Sequence, residues 1–352
     1  MHFYSPYLPL LPIILTSLIS ASPTSRHAIR AATRSPTVTS IHNFTLDTWV
    51  ENLAVRANGQ ILATLLTTPQ VYQVDPNPSS ANPATLVHTF PSTTGCLGIT
   101  ELSPDIFYVV TGNFSISAVG STPGSYSVWE LNMAGFAAGG TPIAAAKIAD
   151  FPQSVFLNGM TALEPVGGNT LLIADSGAGA VWSLNVDTRA VSKIITDPLM
   201  APTSGADPAV GINGVKVRDQ TLYFSNTDQQ LIGKVALNAN GSARGPATIV
   251  VGNAPGADDF QLDVLGNLFI AGDNELRFHG TVEGTGGPPD VVTNSSLVAG
   301  STAVEFGRLA TDLVSVYVST NGGQGQYFSR EFTNPGEIVR VDVLAAGWPK
   351  LR

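Results

Sequence analysis

The chain has 352 residues, of which 12% are charged and 43% hydrophobic, with a formal charge of −9. Its 17 basic residues are spread among 26 acidic ones, which excludes a phosphate-binding surface and, with it, nucleic acid as a partner. With 35 Gly and 24 Pro, the composition favours many short strands joined by tight turns over long solvated helices.

The chain opens on an apolar run at residues 8–21 (LPLLPIILTSLISA) that ends in small side chains. The run is too short to cross a bilayer and carries prolines, so residues 1–21 read as a secretory signal peptide. Arg26, Arg30 and Arg34 follow, with no acidic residue before Asp47, a pattern that keeps a mitochondrial presequence as the alternative. Residues 22–36 are expected to be flexible or processed, and 37–352 to form the folded domain. Without those three arginines the domain holds 14 basic against 26 acidic residues, a charge of −12. The expected location is the secretory pathway, extracellular or vesicular, with no membrane association once the signal is removed. Sequons at Asn43, Asn113, Asn240 and Asn294 agree with that route as glycosylation sites. Cys96 has no second cysteine to pair with and reads as a small buried apolar residue rather than a reactive thiol.

Six copies of one pattern then follow: an alternating strand, a Gly/Asn turn, a β-branched or aromatic strand, a loop, and a third strand. They start at Asn52, Gly98, Gly159, Gly214, Asp259 and Ala303, at spacings of 46, 61, 55, 45 and 44 residues. Units of that length suit four-stranded blades, so the predicted fold is all-β, a six-bladed β-propeller. An eight-stranded barrel would not need six copies. The sixth copy shows three strands only, and the segment at residues 40–46 is placed to supply the missing outer strand and close the ring.

In such a ring the starts of the innermost strands converge although they are far apart in sequence. They carry Glu51, Asn158, Asn213 and Asp258. Two carboxylates and two carboxamides around one axis suit a hard divalent cation such as Ca²⁺ or Mg²⁺. The same residues also have a plain structural reading, because Asn-Gly marks turns and acids are common where strands begin. No organic cofactor is expected.

The motifs NGMTALEP (158–165), LLIADSGAGAVWSL (171–184), NGVKVRDQTLYFSNT (213–227) and DDFQLDVLGNL (258–268) resemble the SMP-30/gluconolactonase superfamily over residues 45–345. The resemblance implies a metal held by Glu51, Asn213 and Asp258, with Asn158 beside them. The chain departs from that pattern at Glu51-Asn52-Leu53, at Asp258-Asp259, and at Cys96-Leu97-Gly98, where the superfamily's substrate-binding Arg has no counterpart. The leader, the sequons and the wording of residues 213–227 resemble secreted fungal members, some of them similar to the propeller hetero-Diels–Alderases of tropolone–sesquiterpenoid biosynthesis. That likeness implies a cycloaddition between a quinone methide and a terpene alkene, which needs an apolar pocket and a donor to a carbonyl rather than a nucleophile.

The titratable inventory agrees. None of the five His falls at an inner-strand start, no G-x-S-x-G elbow is present, and Ser176 reads as a turn residue. Loops at 113–126 and 321–336 are neutral and aromatic. The expected catalytic residues are Asn158, Asn213 and Tyr327, with Phe156, Met160, Phe260 and Phe328 as pocket walls; these aromatics also fit a core role. The expected partner is a small-molecule substrate. A cyclase of specialised metabolism leads, ahead of a metal-dependent lactonase or esterase and of a non-catalytic binding propeller.

Overall fold

The computed structural model describes residues 36–116, 120–164, 167–206, 208–280, 287–323 and 334–343. The expected signal peptide, the rest of the leader up to residue 35, Tyr327 and Phe328 lie outside them. Six four-stranded antiparallel sheets follow one another along the chain. Their innermost strands are Val50–Val55, Gly95–Ser103, Leu157–Ala162, Ile212–Arg218, Ala257–Leu262 and Ser301–Phe306. Each inner strand touches the inner strands of its two neighbours, and the first touches the last, so the sheets are blades around an axis. The molecule is a six-bladed β-propeller.

Ring closure follows the expectation. Val38–Asn43 pairs antiparallel with Glu337–Asp342 and becomes the outer strand of the sixth blade. At the inner end of the same seam, Thr302 Oγ1 donates to the Val50 carbonyl at 2.7 Å. The closing strand covers the edge that Glu337–Asp342 would otherwise expose.

Strands of the blades are apolar on both faces because each sheet is covered by the next. Ser315–Thr320 is buried along its whole length. Its Val316 and Val318 pack with Val339 of the same blade and with Phe269 of the fifth. Cys96 is fully buried in a similar layer between the first two blades, where burial pushes its thiol well above the usual range.

One feature of the inner strands was not foreseen from the repeats. In all six blades the pairing of the first strand with the second slips near its start. The slips fall between Val50 and Asn52, Cys96 and Ile99, and Leu157 and Met160. They recur between Ile212 and Val215, Ala257 and Phe260, and Ser301 and Ala303. A bulge of this kind bends the strand and re-aims the side chains within it. The inner strands accordingly begin two or three residues before the repeat starts read from sequence. Glycine at the bulge lets neighbouring strands approach. A Cβ on Gly98 would collide with the backbone of Asn158, one on Gly159 with Asn213, and one on Gly214 with Asp259.

Candidate functional site

The bulged starts of the inner strands line a cavity of about 110 Å³ that opens to solvent at one end of the ring. Glu51, Asn158, Asn213 and Asp258 all line it, contributed by the first, third, fourth and fifth blades. Phe156, immediately before the third inner strand, lines it as well.

Two expected wall residues do not. Met160 and Phe260 lie past the bulge, where the strand has turned them between the sheets. Met160 packs with Leu157 and Leu171, and Phe260 is fully buried with Ile232 and Val251. They are core residues.

Sequence reading missed a second ring. Each blade's second strand ends at the same mouth, and the residue just past it faces the cavity in the first, fourth, fifth and sixth blades: Leu66, Thr227, Asp273 and Asn321. In the second blade Phe114 takes that place, and Trp49 and Val210 precede the first and fourth inner strands. Counting to the end of each repeat's second strand would have found Leu66, Thr227, Asp273 and Asn321. In the third blade the equivalent residue is Ser176, which is buried and donates to the Ile212 carbonyl at 2.6 Å, a turn residue as expected.

The carboxylates sit in an unusual field. The indole nitrogen of Trp49 donates to Glu51 Oε2 at 2.5 Å, and the Asn213 amide donates to Asp258 Oδ1 at 2.7 Å. Among the described residues no Lys or Arg pairs with either acid. Burial drives the Glu51 pKa up to about 7; the Trp49 hydrogen bond opposes that rise and Asp259 adds to it. Asp258 is also raised, first by burial and then by the charges of Glu51 and Asp259. The pair therefore holds protons at pH values where ordinary carboxyls are ionised, and it can donate hydrogen bonds to a ligand.

Asp259, the departure from the Asp-Gly pattern, is not part of that pair. Its carboxylate receives Lys216 Nζ at 2.8 Å on each oxygen and Asn52 Nδ2 at 3.4 Å. Gly214 supplies the space it occupies. Farther along the inner strands, Arg308 donates to Glu101 and to the Val55 carbonyl, and Gln261 to Glu305. These contacts tie neighbouring blades together.

The donor chemistry also fits a hard cation. Glu51 and Asp258 with the carboxamide oxygens of Asn158 and Asn213 would give an all-oxygen set with too little positive charge nearby. Among the described residues no three His, Cys, Asp or Glu are grouped so as to hold a metal ion by themselves, so the amides would have to complete the set. His42, His88 and His279 line no part of the cavity.

No protein-family model matches the chain. A protein of Phoma sp, named "Putative hetero-Diels-Alderase", is 31% identical over 333 residues, which span 88% of this chain and 90% of the relative. The chain belongs to the hetero-Diels–Alderase family. A family member of the same name from Sarocladium schorii is 27% identical over 355 residues, 88% of this chain and 81% of its own. Among solved structures, a regucalcin of Agrobacterium tumefaciens, described as a calcium-binding protein, superposes with a TM-score of 0.60. It is 13% identical over 90% of this chain and 97% of its own, a likeness of fold alone. The chain thus shares the six-bladed propeller fold with this regucalcin, in agreement with the fold the motifs implied.

Proposed function

We propose that this hetero-Diels–Alderase-family chain catalyses the cycloaddition of a quinone methide with a terpene alkene in the cavity at the propeller mouth. The observation that carries the reading is the cavity itself. Trp49, Leu66, Phe114, Phe156 and Val210 give the cavity apolar walls, and Asn158, Thr227, Ser301 and Asn321 set polar groups among the carboxyls of Glu51, Asp258 and Asp273.

The reaction forms one C–C and one C–O σ bond at the expense of π bonds, and no proton or electron leaves the reactants. The protein therefore has two tasks. It holds both partners in reacting geometry, which can contribute on the order of 7–11 kcal/mol through effective molarity. It also polarises the quinone methide carbonyl, for which protonated Glu51 or Asp258 and the amide of Asn158 are the donors at hand. Tyr327, expected as a further donor, lies outside the described residues.

The second reading is a metal-dependent lactonase, favoured by the convergence of four oxygen-bearing side chains. A Ca²⁺ or Mg²⁺ ion held by Glu51, Asn213 and Asp258 would polarise a lactone carbonyl. Chelation separates the two. Cycloaddition should survive EDTA and fall at least tenfold in Phe156→Ala, whereas lactone hydrolysis abolished by EDTA would sink the cyclase reading.

Secretion accompanies this proposal. Asn43, Asn240 and Asn294 are exposed and can take a glycan, while Asn113, beside the cavity-lining Phe114, is half-buried.

A further inference from the structure

Much of the cavity wall is pinned by hydrogen bonds. The Trp49 indole is tied to Glu51, and the Asn213 amide to Asp258 and Thr227. The rings of Phe114 and Phe156 carry no polar atom and are held only by stacking, with centroids 5.3 Å apart and planes at 25°. The backbone of Phe156 is fixed, since its N–H donates to Asp175 at 2.9 Å and its carbonyl accepts from Ser176 at 2.7 Å. At this point of the wall a ring can turn while the chain stays in place.

Behind Phe156 lies Tyr126, the first residue of the second blade's third strand, Tyr126–Asn132. A Cβ on Gly112 would collide with its ring, so glycine there lets the ring lie inward, 6.3 Å from Phe156 between centroids. Tyr126 is fully buried, yet its hydroxyl makes no hydrogen bond among the described residues. Neighbouring Ser121 gives its own proton to the Val155 carbonyl at 3.0 Å. Burial pushes the phenol pKa up; Ser121 opposes that rise, and the charges of Asp175 and Glu51 add to it. The hydroxyl therefore keeps its proton and is a donor with nothing to donate to. Phenylalanine would fill the same space without leaving a buried polar group unpaired, an arrangement that costs stability.

We infer that Tyr126 Oη heads a hydrogen-bonding subsite behind Phe156, which takes a carbonyl oxygen of the ligand once the Phe156 ring turns aside. Two observations carry the assignment independently. One is the orphaned hydroxyl, reached by the charge of the cavity-lining Glu51. The other is size: at about 110 Å³ the cavity is smaller than the roughly 300–1,000 Å³ of sites that enclose drug-sized ligands, so a wall must yield to admit one. The subsite goes beyond the cycloaddition reading, because it requires a carbonyl-bearing ligand and no particular reaction.

The test uses melting temperature and NMR titration of two isosteric probes, acetophenone and α-methylstyrene, which differ by C=O against C=CH₂. Tyr126→Phe should raise the melting temperature by about 2 °C, because an unpaired buried hydroxyl is removed. The same variant should lower the preference for acetophenone over α-methylstyrene about fivefold. Phe156→Ala should bind both probes more tightly than wild type and keep the preference, which Phe156→Ala with Tyr126→Phe then loses. Circular dichroism checks folding, and Phe156→Leu serves should Phe156→Ala not fold. A lower melting temperature in Tyr126→Phe, or a preference that survives loss of the phenol, overturns the subsite. So does a Phe156→Ala protein that binds neither probe. If the probes separate as expected but the enzyme forms no adduct above background from a generated quinone methide and an alkene, the subsite stands and the cycloaddition reading falls.

Discussion

The indole N–H of Trp49 donates to the carboxylate of Glu51 at 2.5 Å, and both side chains are almost wholly removed from water. An apolar wall residue and a candidate proton-holding residue are thereby one unit. Burial alone would make Glu51 a weak acid fixed in its neutral form. The indole hydrogen bond favours the ionised form and opposes that rise, leaving the pKa at about 7, where small changes decide the charge.

Replacing Trp49 with Phe should keep the wall and remove that donor. The Glu51 pKa, about 7 in the wild-type protein, then rises, since the lost hydrogen bond favoured the ionised form. If protonated Glu51 polarises the substrate, the loss of activity at high pH moves to higher pH in Trp49→Phe. A pH–rate profile measures this, and an unchanged alkaline limb would count against Glu51 as the donor.

Glu51 also links stability to pH. Its folded-state pKa lies above the ordinary 4.5, so between that value and about 7 the folded protein keeps a proton the unfolded chain has lost. Stability from this group is full below the unfolded value and declines as pH rises through the folded one. Glu51→Gln should remove the decline. Urea denaturation should find the variant more stable than wild type at pH 8 by on the order of 1–3 kcal/mol, with little difference at pH 4.

Lys216 and Asp259 form an ion pair with 13% and 4% of their side chains exposed. Lys216→Met leaves a buried carboxylate without its cation and should cost about 3–5 kcal/mol. Lys216→Met with Asp259→Asn should recover much of that loss. Thermal melts of the two variants check the pair, and equal melting temperatures would contradict its role.

The join between the chain's beginning and end should be the weak point of the ring. Deleting residues 36–43 exposes the edge of Glu337–Asp342 and strips Val38 from the apolar layer of the sixth blade. The expected outcome is a lower melting temperature with aggregation visible by light scattering. A monomeric variant with an unchanged melt would show that the closing strand is dispensable.

The repeats were legible because alternation and turn residues are local properties. Six copies of one supersecondary unit cannot bury their faces except against each other, so the sequence by itself determined the blades, the closing strand and the end of the ring where Glu51, Asn158, Asn213 and Asp258 meet. It also separated Ser176 and Cys96 from the chemistry, since Ser176 stands in no G-x-S-x-G elbow and Cys96 has no second cysteine to pair with.

Which side chain faces the cavity was decided only by the tertiary structure. A bulge is one residue of slip in a pairing register, and nothing in a two-residue period marks where it falls. It turned Met160 and Phe260 into core and left Phe156 at the wall. How Leu66, Phe114, Thr227 and Asp273 face one another around the mouth likewise depends on where each blade stands in the ring, a long-range relation that no single stretch of sequence contains. The raised acidity constants of Glu51 and Asp258 have the same origin, because desolvation and like charge act through space, between strands that are distant along the chain.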